Sequence, residues 1–97
     1  SIMVDGKNGS LKFLGNNIVK ASSLSTRYGG SIYATDATLS LKQLRITKDG
    51  RISMTGGSLT ADYISLDDNA EAIFDGVNLN VGYRQNGRGF LVRYLRR

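Results

Sequence analysis

From Leu39 onward the apolar positions of this chain recur at a fixed step of twenty. The sequence reads LSLKQLRITKDGRISMTGGS, then LTADYISLDDNAEAIFDGVN, then LNVGY. Leu39, Leu59 and Leu79 align, as do Leu41, Ala61 and Val81. Leu44 falls on Ile64, Ile46 on Leu66, Ile52 on Ala72 and Met54 on Phe74. One step back, Val19, Ala21, Leu24, Ile32 and Ala34 take the same places, with Thr26 standing where an aliphatic is due. Nearer the start, Leu11 and Phe13 fit only if one residue is deleted. Past Leu79, Val92 and Tyr94 keep the pattern, but Arg84 and Asn86 replace the middle apolar pair.

Each repeat therefore holds three apolar-x-apolar units separated by polar or turn-forming residues. Alternation of this kind marks a strand, whose successive side chains point to opposite faces. Three such units within twenty residues are too short for hairpins and have the wrong period for helices. They fit the three sides of one coil of a parallel β-solenoid, whose inward pairs stack about 4.8 Å apart from coil to coil. An ordinary β-sandwich also places short strands every 8–12 residues, but gives no reason for many positions to match at one step. The expected fold is all-β: a parallel solenoid with three short strands per coil, right-handed as parallel crossovers are. The single domain divides into an N-terminal cap or degraded coil over residues 1–18, regular coils over 19–83, and a basic C-terminal cap or assembly tail over 84–97.

Composition agrees with a turn-rich β chain. Twelve glycines, no proline, 40% hydrophobic and 22% charged residues describe an ordered protein of 97 residues. Neither cysteine nor histidine occurs. That removes disulfides, thiol nucleophiles, the commonest general base and the commonest metal ligand. No apolar run approaches the roughly 18 residues of a membrane helix, and the N-terminus has no signal-peptide pattern.

The net charge of +5 is localised. Residues 1–83 hold eight bases and eight acids, so the excess is carried by Arg84, Arg88, Arg93, Arg96 and Arg97. Within that tail, GYRQNGRGF interleaves arginine with Tyr83 and Phe90, a composition able to bind single-stranded nucleic acid through charge and stacking. The alternation of Phe90, Val92 and Tyr94 reads instead as a final strand capping the last coil, with Leu91, Arg93 and Leu95 outward as a surface for a partner. Expected partner residues are Tyr83, Arg84, Arg88, Phe90, Leu91, Arg93, Tyr94, Leu95, Arg96 and Arg97.

Asp67-Asp68-Asn69 is the densest acidic cluster. Its oxygens suit calcium, and clustered carboxylates serve polysaccharide-cleaving β-helix enzymes. Asp and Asn are equally the residues of a turn between two sides of a coil. The matching positions one coil back are Thr47, Lys48 and Asp49, so the acidity does not continue along the face. Asp36, Asp49, Asp62 and Asp75 are scattered, and Tyr33 and Tyr63 point outward by register. No catalytic residue, metal or cofactor is expected.

The segment GGSLTADYISLDDNAEAIFDGVNLNV resembles the repeats of filamentous-haemagglutinin-type adhesins. Gly57, Leu59, Ala61, Ile64, Leu66, Ile73 and Gly76 carry the likeness. GGSIYATDATLSL, from Gly29 to Leu41, is similar to repeats of autotransporter-like surface proteins, and phage tail fibres and tailspikes use related residues. The resemblance implies an extracellular, cell-surface or virion-borne structural or adhesive module. The few coils, their open edges and the outward Leu91 and Leu95 predict a homo-oligomer or larger assembly, with a host glycan or protein as a further expected partner. Nucleic-acid or anionic-polymer binding through the arginines is the alternative, and a polysaccharide-cleaving fragment a further one.

Overall fold

A computed structural model describes residues 2–95 of the chain. Ten strands alternate between two parallel sheets. The first sheet takes β1 (Ile2–Asp5), β3 (Ile18–Arg27), β5 (Thr38–Ile46), β7 (Ser58–Leu66) and β9 (Asn78–Asn86), in that spatial order. The second takes β2 (Ser10–Leu14), β4 (Ser31–Thr35), β6 (Arg51–Thr55), β8 (Glu71–Asp75) and β10 (Leu91–Leu95). One long and one short strand make each coil after the first, whose two strands are both short, and five coils stack as a parallel β-solenoid. No helix occurs among the described residues, and so none long and apolar enough to cross a membrane.

The register is the step of twenty. Val19 pairs with Leu39, Leu39 with Leu59 and Leu59 with Leu79; Leu24, Leu44 and Ile64 stack likewise. Ile32, Ile52 and Ala72, and Ala34, Met54 and Phe74, form the ladders of the second sheet. Nearly all of these side chains are buried in one continuous core.

The three apolar pairs of a repeat lie on three sides, yet only two strands carry them. The first two pairs share the long strand, which turns a corner between Leu41 and Leu44. Lys42 and Gln43 both face outward there, and Lys42 and Asp62 drop out of the pairing that resumes at Gln43 and Tyr63. A single residue stepping out of the ladder turns the corner without a loop, so backbone pairing runs on through it.

The other two corners are tight turns with left-handed residues that also recur every twenty. Asn16, Asp36, Gly56 and Gly76 hold positive φ at one corner. Gly29, Asp49, Asn69 and Gly89 hold it at the other. Asn, Asp and Gly adopt that conformation at least cost, which is why these columns contain nothing else.

Two small insertions displace the first coil. Leu11 pairs with Ile32, 21 positions on, and Ile2 with Leu24, 22 positions on. The extra residues sit in the turns after β1 and after β2, which leaves Val4 buried and Leu11 and Phe13 packed on the core.

Thr26 shows how a polar residue is tolerated in an inward ladder. It is 1% exposed. Its hydroxyl accepts the Thr47 N–H (3.0 Å), while the Thr47 hydroxyl donates to the Thr26 carbonyl (2.8 Å). The pair ties the corner of one coil to the next. Thr26→Val keeps the shape but strands the Thr47 amide, and should lower stability by about 1–2 kcal/mol in urea unfolding. A neutral or stabilising result would show that the amide finds water instead.

Candidate functional site: the C-terminal end of the solenoid

The backbone ladder continues beyond the last fully apolar coil. Arg84 pairs with Ile64, Gln85 with Ser65 and Asn86 with Leu66, and β10 lies in register on β8 from Leu91↔Glu71 to Leu95↔Asp75. What changes is the filling of the coil. The column Leu24–Leu44–Ile64 ends in Arg84, and the column Ile46–Leu66 ends in Asn86.

A guanidinium has no place in an apolar interior without a charge partner. Arg84 is exposed, and its Nη1 donates to the Tyr94 hydroxyl (3.0 Å). This bond spans the mouth of the coil from one sheet to the other. Beneath it a cavity of about 300 Å³ is left, walled by Ile64, Leu66, Phe74, Val81, Val92 and Tyr94.

The aromatic residues of the end are partly occupied. Tyr83 stacks on Tyr63 (centroids 5.4 Å, 21°) and Tyr94 on Phe74 (5.8 Å, 25°). The Tyr63 hydroxyl also donates to the Gln85 side-chain oxygen. One face of each terminal ring is thus covered by the preceding coil, and both tyrosines remain exposed. Phe90 lies in the turn before β10, and Leu91, Arg93 and Leu95 face outward from that strand. Arg88 sits in the same turn, where its amide donates to Asp68 Oδ1 (2.6 Å).

The structure therefore gathers Arg84, Tyr94, Tyr83 and Val92 around the cavity, and leaves Arg88, Phe90, Leu91, Arg93 and Leu95 exposed on the same coil outside its lining. Arg96 and Arg97 lie outside the described residues. The repeat marks Arg84 as a misfit in its column; its bond to Tyr94, ten residues away, has no signature in the sequence.

Asp67, Asp68 and Asn69 form a turn with Asn69 at φ 58°. Asp67 accepts from Arg45 Nη2 (3.3 Å) and from the Ser65 hydroxyl (3.4 Å). These carboxylates hold neighbouring coils together. Among the described residues no group of three acidic side chains is arranged to hold a metal.

At the opposite end, Asp5 pairs with Arg27 (2.6 Å), and that hydrogen bond holds its carboxyl below the usual carboxylate range. Both side chains are solvated, so the pair orients β1 more than it stabilises it. Tyr28 stands beside it with the Arg27 guanidinium over its ring at 5.2 Å.

No family model, curated protein or solved structure matches this chain.

Proposed function

We propose that this chain is a non-catalytic structural or adhesive β-solenoid module that assembles through its ends and presents its sides to a host surface. The setting is an exported adhesin or a phage tail fibre, as the resemblance of the repeat implies. One observation carries the assembly. Among the described residues, the exposed large hydrophobics gather at the two ends. Met3, Leu14, Ile18 and Tyr28 lie toward the first, and Tyr83, Phe90, Leu91, Tyr94 and Leu95 at the second. Apolar side chains left exposed at an open end favour contact with a partner there.

The edges support the same reading. β1 and β2 border one end and β9 and β10 the other, each paired on one side only. A strand edge is a template for further β-structure unless it is blunted. Partly buried Leu11, Phe13 and Val19 at one end, and Leu79, Val81 and Val92 at the other, still lack the stacked neighbour that seals the inner coils. The absence of histidine and cysteine, and the structural engagement of Asp67 and Asp68, support a non-catalytic role.

The lone chain carries apolar ends beside a basic excess, so salt should promote its self-association. Sedimentation velocity is expected to show larger species growing between about 0.1 and about 1 M NaCl as repulsion is screened and apolar contact strengthened. A strict monomer at high salt and high protein concentration would refute assembly through the ends.

A further inference from the structure

Charge alternates over the last three coils of this solenoid. Residues 38–57 carry Lys42, Arg45, Lys48 and Arg51 against Asp49 alone. Residues 58–77 carry Asp62, Asp67, Asp68, Glu71 and Asp75 and no base. The last coil carries arginine and no acid. The alternation is used. Arg45 meets Asp67 (3.3 Å) and Arg51 meets Glu71 (3.0 Å) across the junction between the third and fourth coils. At the next junction Asp68 accepts the Arg88 amide. Among the described residues, Arg84, Arg88 and Arg93 have no ion-pair partner.

We infer that the C-terminal end is the docking surface for an extended acidic segment of a partner chain, which adds as a strand to the free edges of β9 and β10. This rests on the proposed assembly through the ends and names the partner of one of them. Strand addition supplies main-chain hydrogen bonds, while side-chain pockets and charge supply selectivity. The cavity under the Arg84–Tyr94 bond takes an apolar side chain of the incoming segment. Acids on either side of that side chain meet Arg84 and Arg93, as the acids of the fourth coil meet the bases of the third.

The other occupants fit less well. In a second copy stacked head to tail in register, Lys12, which begins the column Lys12–Tyr33–Ser53–Ile73–Arg93, would lie against Arg93. That copy's β1 begins opposite Leu24, so it has no strand to cover Leu79 and Val81. A tail-to-tail pair would set arginines against arginines. For nucleic acid, the three arginines are poorly placed: Arg84 is on β9, Arg88 in the turn and Arg93 on β10. They ring the coil end and do not form a stripe that a phosphate backbone could follow.

The test uses the full chain and a synthetic peptide copying residues 58–77, the acidic sequence that already seats against one side of the basic coil. A second peptide has its four Asp changed to Asn and its Glu to Gln. Two-dimensional amide NMR at low salt is expected to show the acidic peptide shifting resonances of β9 and β10. Binding should weaken by at least about tenfold in 0.5 M NaCl, and by as much in Arg84→Glu/Arg93→Glu protein. Both arginines are exposed, so this variant should keep its melting temperature. If it does not, the shift map of the unaltered protein decides alone. Equal binding of the neutral peptide overturns the proposal, as do shifts confined to β1 and β2 or no binding at all. Tighter binding of a thymidine 20-mer at the same residues overturns it in favour of nucleic acid. If salt-promoted self-association persists while the acidic peptide fails, the acidic partner falls and assembly through the ends stands.

Discussion

Leu59→Asp should abolish cooperative folding at neutral pH, whereas Thr60→Asp, one residue along, should change stability by no more than about 1 kcal/mol. Leu59 is completely buried and stacks between Leu39 and Leu79. Its replacement loses roughly 2–3 kcal/mol of apolar burial. It also places a carboxyl where no partner can reach. Keeping that group protonated at pH 7, about three units above its ordinary pKa near 3.9, costs about 4 kcal/mol more at 1.36 kcal/mol per unit. Together these approach the whole stability of a domain this size, roughly 5–15 kcal/mol.

The sign with pH follows from linkage. The buried carboxyl has a folded-state pKa above its unfolded value, so the unfolded chain binds fewer protons and stability falls as pH rises above about 4. Below that pH both states are protonated and only the packing loss remains. Leu59→Asp should therefore recover part of its cooperative transition in urea unfolding near pH 3.5, relative to the unaltered chain at the same pH. Thr60 lies on the outer face between Ser40 and Asn80 and is exposed. Equal tolerance at both positions would mean that the inward and outward faces are misassigned.

The ladders were legible because burial on one face leaves a mark at every second residue, and stacking repeats that mark at a fixed step. Val19, Leu39, Leu59 and Leu79 needed only alignment to be placed. The left-handed corners were legible in principle too, since Gly29, Asp49, Asn69 and Gly89 are all residues that tolerate positive φ. Apolar periodicity alone passes over them.

The first coil was obscured by two inserted residues, because a hydrophobic pattern cannot say in which turn an extra residue sits. Leu11 and Phe13 fitted with one deletion, as their pairing with Ile32 and Ala34 shows. Ile2 and Val4 needed two, and left no visible signal. The division of a coil into two strands was hidden for a different reason. Lys42 and Asp62 look like a break between two strands, yet one residue leaving the ladder does not interrupt the backbone bonds around it.

At the C-terminal end, the pattern marked the inward position of Arg84 as anomalous and could go no further. Where a long guanidinium goes depends on what it can reach. Here that is the Tyr94 hydroxyl on the other sheet, and the cavity left behind follows from that bond. A side chain that abandons its column makes a site whose shape no periodicity contains.

Gly57→Ala should cost at least about 3 kcal/mol, and Gly76→Ala only about 1–2 kcal/mol, although both glycines have left-handed backbone (φ +73° and +66°). The conformational penalty of adding a Cβ is common to both, so the difference isolates close approach. A Cβ on Gly76 meets nothing within 4 Å. A Cβ on Gly57 lands on the carbonyl oxygen of Ala37 and 2.7 Å from its nitrogen, and a backbone group cannot swing aside as a flexible side chain can. That carbonyl, at the entry to the third coil, accepts the Ser58 N–H (3.0 Å) where β7 begins the fourth. Relieving the clash therefore stretches or breaks the bond, adding about 1 kcal/mol or more to the strain. Sequence periodicity suggests the reverse tolerance. Gly57 aligns with Ala37 and Val77, which carry side chains at the same step and lack positive φ, so alanine looks acceptable there. The distinction lies in two consecutive left-handed residues, Gly56 and Gly57, which bring this corner closer to its neighbour. Urea midpoints with unchanged slopes decide it. Equal shifts for the two variants would show that the corner can relax away from Ala37 and that coil spacing is not set there.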